Sequence, residues 1–125
     1  MSLNTLSVLI ADDLPMMRQL LAGILRNLGV KKIDEVSNGD DVVAAYKTNP
    51  PDLLFLDISM PVKDGLATLK EIVAIAPNAF VAMVTAHSSM EHVKASMELG
   101  AKGFVVKPYS MDKIEGVLKT YSALA

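Results

Sequence analysis

The sequence predicts an α/β domain: a doubly wound parallel sheet with helices on both faces. Three observations carry this expectation. Short apolar runs recur without internal alternation, the pattern of strands buried on both faces. Between them, apolar residues repeat at the three-and-four spacing of a helix face. The two patterns take turns, so consecutive strands should run parallel through right-handed crossovers.

The first strand is read at Ser7-Val8-Leu9-Ile10-Ala11. Met17, Leu20, Leu21, Ile24, Leu25 and Leu28 then mark one face of the first helix. Pro15 sits in the first turn, where its missing N–H does no harm, and Gly29 where a helix stops. Residues 33–36 form a weaker strand, expected at an edge, and 42–46 a short second helix. The third strand is the run 53–56. Asp64-Gly65 makes the turn into the third helix, with Gly65 expected for its backbone freedom. Leu66, Leu69, Ile72 and Val73 mark that helix, which closes before Pro77.

The fourth strand is read at 80–84. Ser88-x-x-Glu91 suits a capping box opening the fourth helix, with Met90, Val93 and Met97 on one face. A fifth strand follows at 103–106. Ser110 can cap the fifth helix, which turns Ile114, Val117, Leu118 and Tyr121 inward.

Bulk properties narrow the function. The 125 residues suit a single domain spanning 1–125, and 51% apolar against 21% charged residues can build a core. Cysteine is absent, which excludes disulfides, thiolate metal sites and sulfur redox chemistry. A net charge of −2 with scattered Lys and Arg offers no footprint for nucleic acid. No apolar run approaches the roughly 20 residues that span a bilayer, and none reads as a secretory signal. A cytoplasmic protein is expected.

Doubly wound sheets bind ligands beyond the carboxyl ends of their strands. Asp12 and Asp13 follow the first strand, Asp57 the third, Thr85 the fourth and Lys107-Pro108 the fifth. Each has an ordinary explanation alone: Asp13 as a helix cap, Asp57 as a loop residue, Lys107 as a solvated lysine. Together, after four strands, they are much harder to dismiss. Three carboxylates in one small site repel unless some are protonated or a cation neutralises them. Oxygen-only ligands in an open site favour Mg²⁺. A metal-bound carboxylate with an ammonium beside it suits in-line phosphoryl transfer to Asp57, giving a labile acyl phosphate.

The pattern Leu-Ile-Ala-Asp12-Asp13, Leu-Asp57-Ile-Ser-Met-Pro61-x-x-Asp64-Gly65, Val-Thr85-Ala86 and Lys107-Pro108 resembles the receiver domains of response regulators. Its nearest likeness is to the single-domain chemotaxis type, over residues 8–118. The resemblance implies a flavodoxin-like fold with five parallel strands in the order 2-1-3-4-5. It implies Asp57 as phosphoacceptor from a histidine kinase, and Mg²⁺ on Asp13, Asp57 and the backbone carbonyl of Ser59, with Asp12 acting through water. Lys107 would pair with the phosphoryl group and precede a cis proline. Thr85 would donate its hydroxyl to a phosphoryl oxygen, and Phe104 would follow Thr85 as the aromatic switch. By the same resemblance, Ser59 and His87 would border the path of an attacking water and set the timing of phosphate loss, though His87 reads equally well as a solvated loop histidine.

The implied partners are a sensor histidine kinase or phosphotransfer protein, a downstream target and a phosphatase, with neither nucleic acid nor membrane bound directly. The implied reactions are self-phosphorylation and self-dephosphorylation, not turnover of an external substrate. The face made by the fourth helix, fifth strand and fifth helix would carry output. Met90, Met97, Met111 and Tyr109 lie there, although such residues are more often core.

Rival readings remain at this point. A flavin carrier would need a Ser/Thr/Gly-rich loop where Asp12-Asp13-Leu14-Pro15 stands. An aspartate-nucleophile phosphohydrolase would place its nucleophile after the first strand. A receiver that serves only as an interaction module would have lost site groups that are all present here. A receiver cut from a transcription factor or relay protein would look the same.

Overall fold

The computed structural model describes residues 3–60, 63–86 and 90–124, the last span beginning with the backbone of Met90. A short 3₁₀ turn at Leu3–Thr5 precedes five strands: β1 (Ser7–Ala11), β2 (Lys32–Val36), β3 (Leu53–Asp57), β4 (Phe80–Thr85) and β5 (Gly103–Val106). Five helices alternate with them: α1 (Pro15–Leu28), α2 (Gly39–Thr48), α3 (Gly65–Ile75), α4 (Met90–Leu99) and α5 (Met111–Leu124). All strand pairs are parallel, in the order β2-β1-β3-β4-β5. The doubly wound fold and its 2-1-3-4-5 order are as the sequence and the resemblance imply.

The continuous apolar runs divide their side chains between two cores because successive strand residues face opposite ways. Val8, Ile10, Leu53, Phe55, Ala82 and Val84 pack with Leu21 and Leu25 of α1 and Ile114 and Leu118 of α5. Leu9, Ala11, Leu54, Leu56, Val81 and Met83 pack with Val42 and Tyr46 of α2 and Leu69 and Ile72 of α3. The weak β2 lies at an edge, as expected, and β5 forms the other edge.

Helix ends follow local chemistry. Pro15 opens α1, and Gly29 closes it at φ 110°, a left-handed position that suits glycine. Asn38 caps α2 by accepting from the Asp41 amide, so the helix starts earlier than 42. Asp64 caps α3 through the Ala67 amide at 2.8 Å. Ser110 accepts from the Lys113 amide at 3.3 Å, as the fifth helix requires.

Several side chains depart from the helical patterns. Leu20 is 46% exposed, while Ala22 takes a buried position on α1. Met97 is also 46% exposed, and among the described side chains of α4 the fully buried one is Ser96, because α4 packs chiefly on α3. Tyr109 is buried in the α1/α5 core, the commoner role for such residues, and the Ser88 cap lies outside the described residues.

Gly65 has a different reason from the one anticipated. It does not occupy a positive-φ conformation. A Cβ there would meet the Asp57 carbonyl oxygen at 2.2 Å and Ile58 Cα at 2.6 Å, both backbone atoms that cannot yield. Its amide donates to the Ile58 carbonyl at 2.7 Å. Only a residue without Cβ lets the start of α3 close against the end of β3.

Candidate functional site

β1, β3, β4 and β5 end side by side, and their last residues deliver the site. The Asp12 amide extends the ladder by donating to the Val36 carbonyl at 3.2 Å, which fixes the direction of its side chain inward. Asp12 is 1% exposed, and its Oδ1 accepts from the Leu14 amide at 3.0 Å. Asp57 closes β3 at 4% exposure, with Oδ1 accepting from the Ser59 amide at 3.0 Å. Asp13, by contrast, is exposed.

Lys107 joins the two buried acids. Its Nζ lies 2.9 Å from Asp12 Oδ2 and 3.1 Å from Asp57 Oδ2. Its amide donates to the Thr85 carbonyl at 2.8 Å, tying the end of β5 to the end of β4. Thr85 itself is buried. The Lys107–Pro108 peptide is cis, as the resemblance implies. Phe104 pairs with Met83 in register and packs, half-buried, against the α2/α3 core.

Asp12, Asp13 and Asp57 each offer an oxygen, and these oxygens lie within 4.8 Å of one another. Three carboxylates against one ammonium leave two negative charges in excess. Burial raises the Asp57 pKa above the ordinary aspartate value, and the Asp12 charge adds to this, although Lys107 and the Ser59 amide pull the other way. Burial pulls the Lys107 ammonium down, yet its hydrogen bonds and charge pairing with Asp12 and Asp57 leave it raised. The donor set thus fits a divalent cation: hard oxygens, excess charge and an open side at Asp13.

Comparison with known proteins gives the family. The response regulator receiver domain model matches residues 8–119. This chain belongs to that family. It is 39% identical to the chemotaxis protein CheY of Bacillus subtilis, over 90% of this chain and 95% of that protein. It is 36% identical to CheY of Thermotoga maritima, over 92% and 96%. Among solved structures, CheY in the CheX-CheY-BeF3-Mg²⁺ complex from Borrelia burgdorferi has a TM-score of 0.88 and 33% identity, covering 96% of this chain and 90% of that one.

As a receiver, the chain brings Asp12, Asp57, Thr85 and Lys107 together at the strand ends, with Asp13 at the rim. His87 lies outside the described residues, as does Pro61 of the motif. Ser59 is exposed and touches the site through its amide.

Sequence reasoning missed three supports. Arg18 reaches from α1, donating from Nη1 to the Asp12 carbonyl at 2.7 Å while its Nε faces Glu35 at 3.3 Å. Tyr109 borders the site: burial and then the charges of Asp12 and Asp57 raise its phenol out of the titrating range. Lys113 binds the carbonyls beside Lys107. Arg18 follows Asp12 by six residues, close enough for a helix to bring it back. Nothing in the local pattern signals Tyr109 or Lys113.

Proposed function

We propose that Asp57 is the phosphoacceptor of a chemotaxis-type, stand-alone receiver, a switch that binds a separate target when phosphorylated. The observation that carries this reading is the Lys107 ammonium set between Oδ2 of Asp12 and Oδ2 of Asp57. A cation so placed can move its pairing from Asp57 to an incoming phosphoryl group without losing Asp12.

Asp13, Asp57 and the Ser59 carbonyl would hold Mg²⁺, with Asp12 acting mainly through water. The ion would offset charge on the phosphoryl oxygens. An Asp57 carboxylate oxygen attacks phosphorus in line as the bond from phosphorus to the donor imidazole nitrogen breaks. The Ser59 amide keeps the Asp57 carboxylate oriented during attack. Lys107 balances charge on the transferred group, and Thr85 donates its hydroxyl to a phosphoryl oxygen. Phe104 then repacks against the space Thr85 leaves. Ser59 and His87 would set the timing of the later hydrolysis of the acyl phosphate.

The partners in this reading are a histidine kinase or phosphotransfer protein, a downstream protein engaged through α4, β5 and α5, and a phosphatase. Met97 and Met111, both more than 40% exposed, lie on that face. Matches over 95% and 96% of the length of two chemotaxis proteins support the chemotaxis-type part of this reading. Cytoplasmic placement belongs to the same reading; among the described residues no helix is long and apolar enough to cross a membrane.

Mass spectrometry after treatment with a small acyl phosphate and Mg²⁺ tests the reading. The expected result is one added phosphoryl group on the native chain and none on Asp57→Asn. An unmodified native chain, or an equally modified variant, overturns it. Steady turnover of a general phosphatase substrate would instead favour a phosphohydrolase.

A further inference from the structure

Lys113 occupies the first turn of α5, where a cation opposes the helix dipole and local preference would not place it. Its side chain turns back toward the sheet. Nζ donates to the Val106 carbonyl at 2.9 Å and to the Pro108 carbonyl at 3.1 Å. These carbonyls stand on either side of Lys107. Because β5 is an edge strand, carbonyls on its open side need partners from outside the sheet, and Val106 finds one in Lys113.

The turn carrying Lys107 is therefore held from two directions. β4 holds it through the Thr85 carbonyl and the Lys107 amide at 2.8 Å. α5 holds it through Lys113. Lys107 must keep a long, flexible side chain extended into a gap between two buried acids, and its freedom opposes this. The backbone from which it starts decides whether one ammonium reaches both. Among the described residues, Lys113 makes no ion pair with Asp12 or Asp57.

We propose that Lys113 is a positioning residue for phosphoryl transfer, clamping the backbone around Lys107 so that its ammonium spans Asp12 and Asp57. The inference rests on the reading of Lys107 as the group that balances phosphoryl charge. Lys113 acts only through Lys107, so its effect vanishes when Lys107 is gone.

The test is a double-mutant cycle on the rate of Asp57 phosphorylation by acetyl phosphate at saturating Mg²⁺. Loss of two hydrogen bonds in Lys113→Met should slow the reaction about fivefold, with Lys113→Gln similar. Lys113→Arg, whose guanidinium can meet both carbonyls, should stay within about twofold of the native rate. Lys107→Ala should be slower than any of these, and Lys107→Ala/Lys113→Met no slower than Lys107→Ala alone. Thermal melts establish that each variant is folded at the assay temperature, and Lys113→Gln replaces Lys113→Met if the latter is not. A native rate in Lys107→Ala sinks the reading of Lys107 itself. A slow Lys107→Ala beside a native-rate Lys113→Met, or a double variant slower than Lys107→Ala, sinks only the clamp.

Discussion

Two lysines in this molecule each stand between two carboxylates, and they have different consequences. Lys63 pairs with Asp40 on α2 and Glu71 on α3, all in water's reach, with side chains 24%, 61% and 46% exposed. Lys107 pairs with Asp12 and Asp57 where the side chains are 13%, 1% and 6% exposed. Around Lys63, solvent screens the charges and the pairs form and break with little effect on the fold. Around Lys107 the same three charges sit in a poorly solvated pocket, where each depends on the others. The Lys63 ammonium is raised by its hydrogen bonds to Glu71 and Asp40. In the buried group burial also pushes a carboxylate, Asp57, upward. Burial turns an ordinary surface arrangement into a site that a divalent cation would stabilise.

The contrast can be broken hardest at Lys107 itself. Lys107→Met leaves two buried acids facing each other; phosphorylation should slow about 100-fold, and the metal-free fold should lose about 2–3 kcal/mol. Single-turnover phosphorylation and urea titration read the two effects. Retention of both the native rate and native stability would erase the distinction drawn above.

Gly65→Ala attacks the backbone beneath Asp57. With Cβ 2.2 Å from the Asp57 carbonyl, the start of α3 must shift, which should destabilise by about 2 kcal/mol. At Gly116, where a Cβ meets nothing within 4 Å, the same change on α5 should stabilise by a few tenths to about 1 kcal/mol. Urea unfolding of the two variants should therefore give shifts of opposite sign.

A pH series sharpens the electrostatic difference. Because the folded-state pKa of Asp57 is raised, its ionised form is disfavoured by folding. Asp57→Asn should thus be more stable than the native chain at neutral pH without metal. The gap should close as pH falls through the raised pKa, vanishing below the ordinary aspartate value of 3.8. Saturating Mg²⁺ should shrink the gap at neutral pH by favouring the carboxylate. Urea unfolding at stepped pH checks this, and a gap that widens on acidification would reverse the sign.

The smallest effect belongs to Lys63→Met. Its pairs are exposed, so phosphorylation should stay within about twofold of native. A loss as large as that of Lys107→Met would mean that burial is not what separates the two lysines.

Much of this was legible in sequence for a physical reason. Val8 to Ala11, Leu53 to Leu56 and Phe80 to Val84 are apolar on both faces because helices cover both, so each strand advertises its own burial. Pro15, Gly29 and Ser110 mark helix ends through chemistry that operates over three or four residues. The candidate site was legible because a doubly wound sheet gathers whatever follows its strands. The misreadings share one cause. Leu20 and Met97 fit their helical patterns, but neighbours distant in sequence decide which of them water reaches.

The sequence by itself determined the order of elements, the two-sided burial of the central strands, and the set of residues delivered to the carboxyl edge. Those properties arise from periodicity, capping and the handedness of crossovers, all short-range or generic. Only the tertiary structure decided that Lys107 spans Asp12 and Asp57, that Gly65 lies against the Asp57 carbonyl, and that Lys113 reaches back from α5 to the turn at Lys107. Lys63 and Lys107 each stand within two residues of a proline. Packing alone put one in solvent and the other among buried charges, because solvent exposure is a property of the surrounding elements and not of the residue.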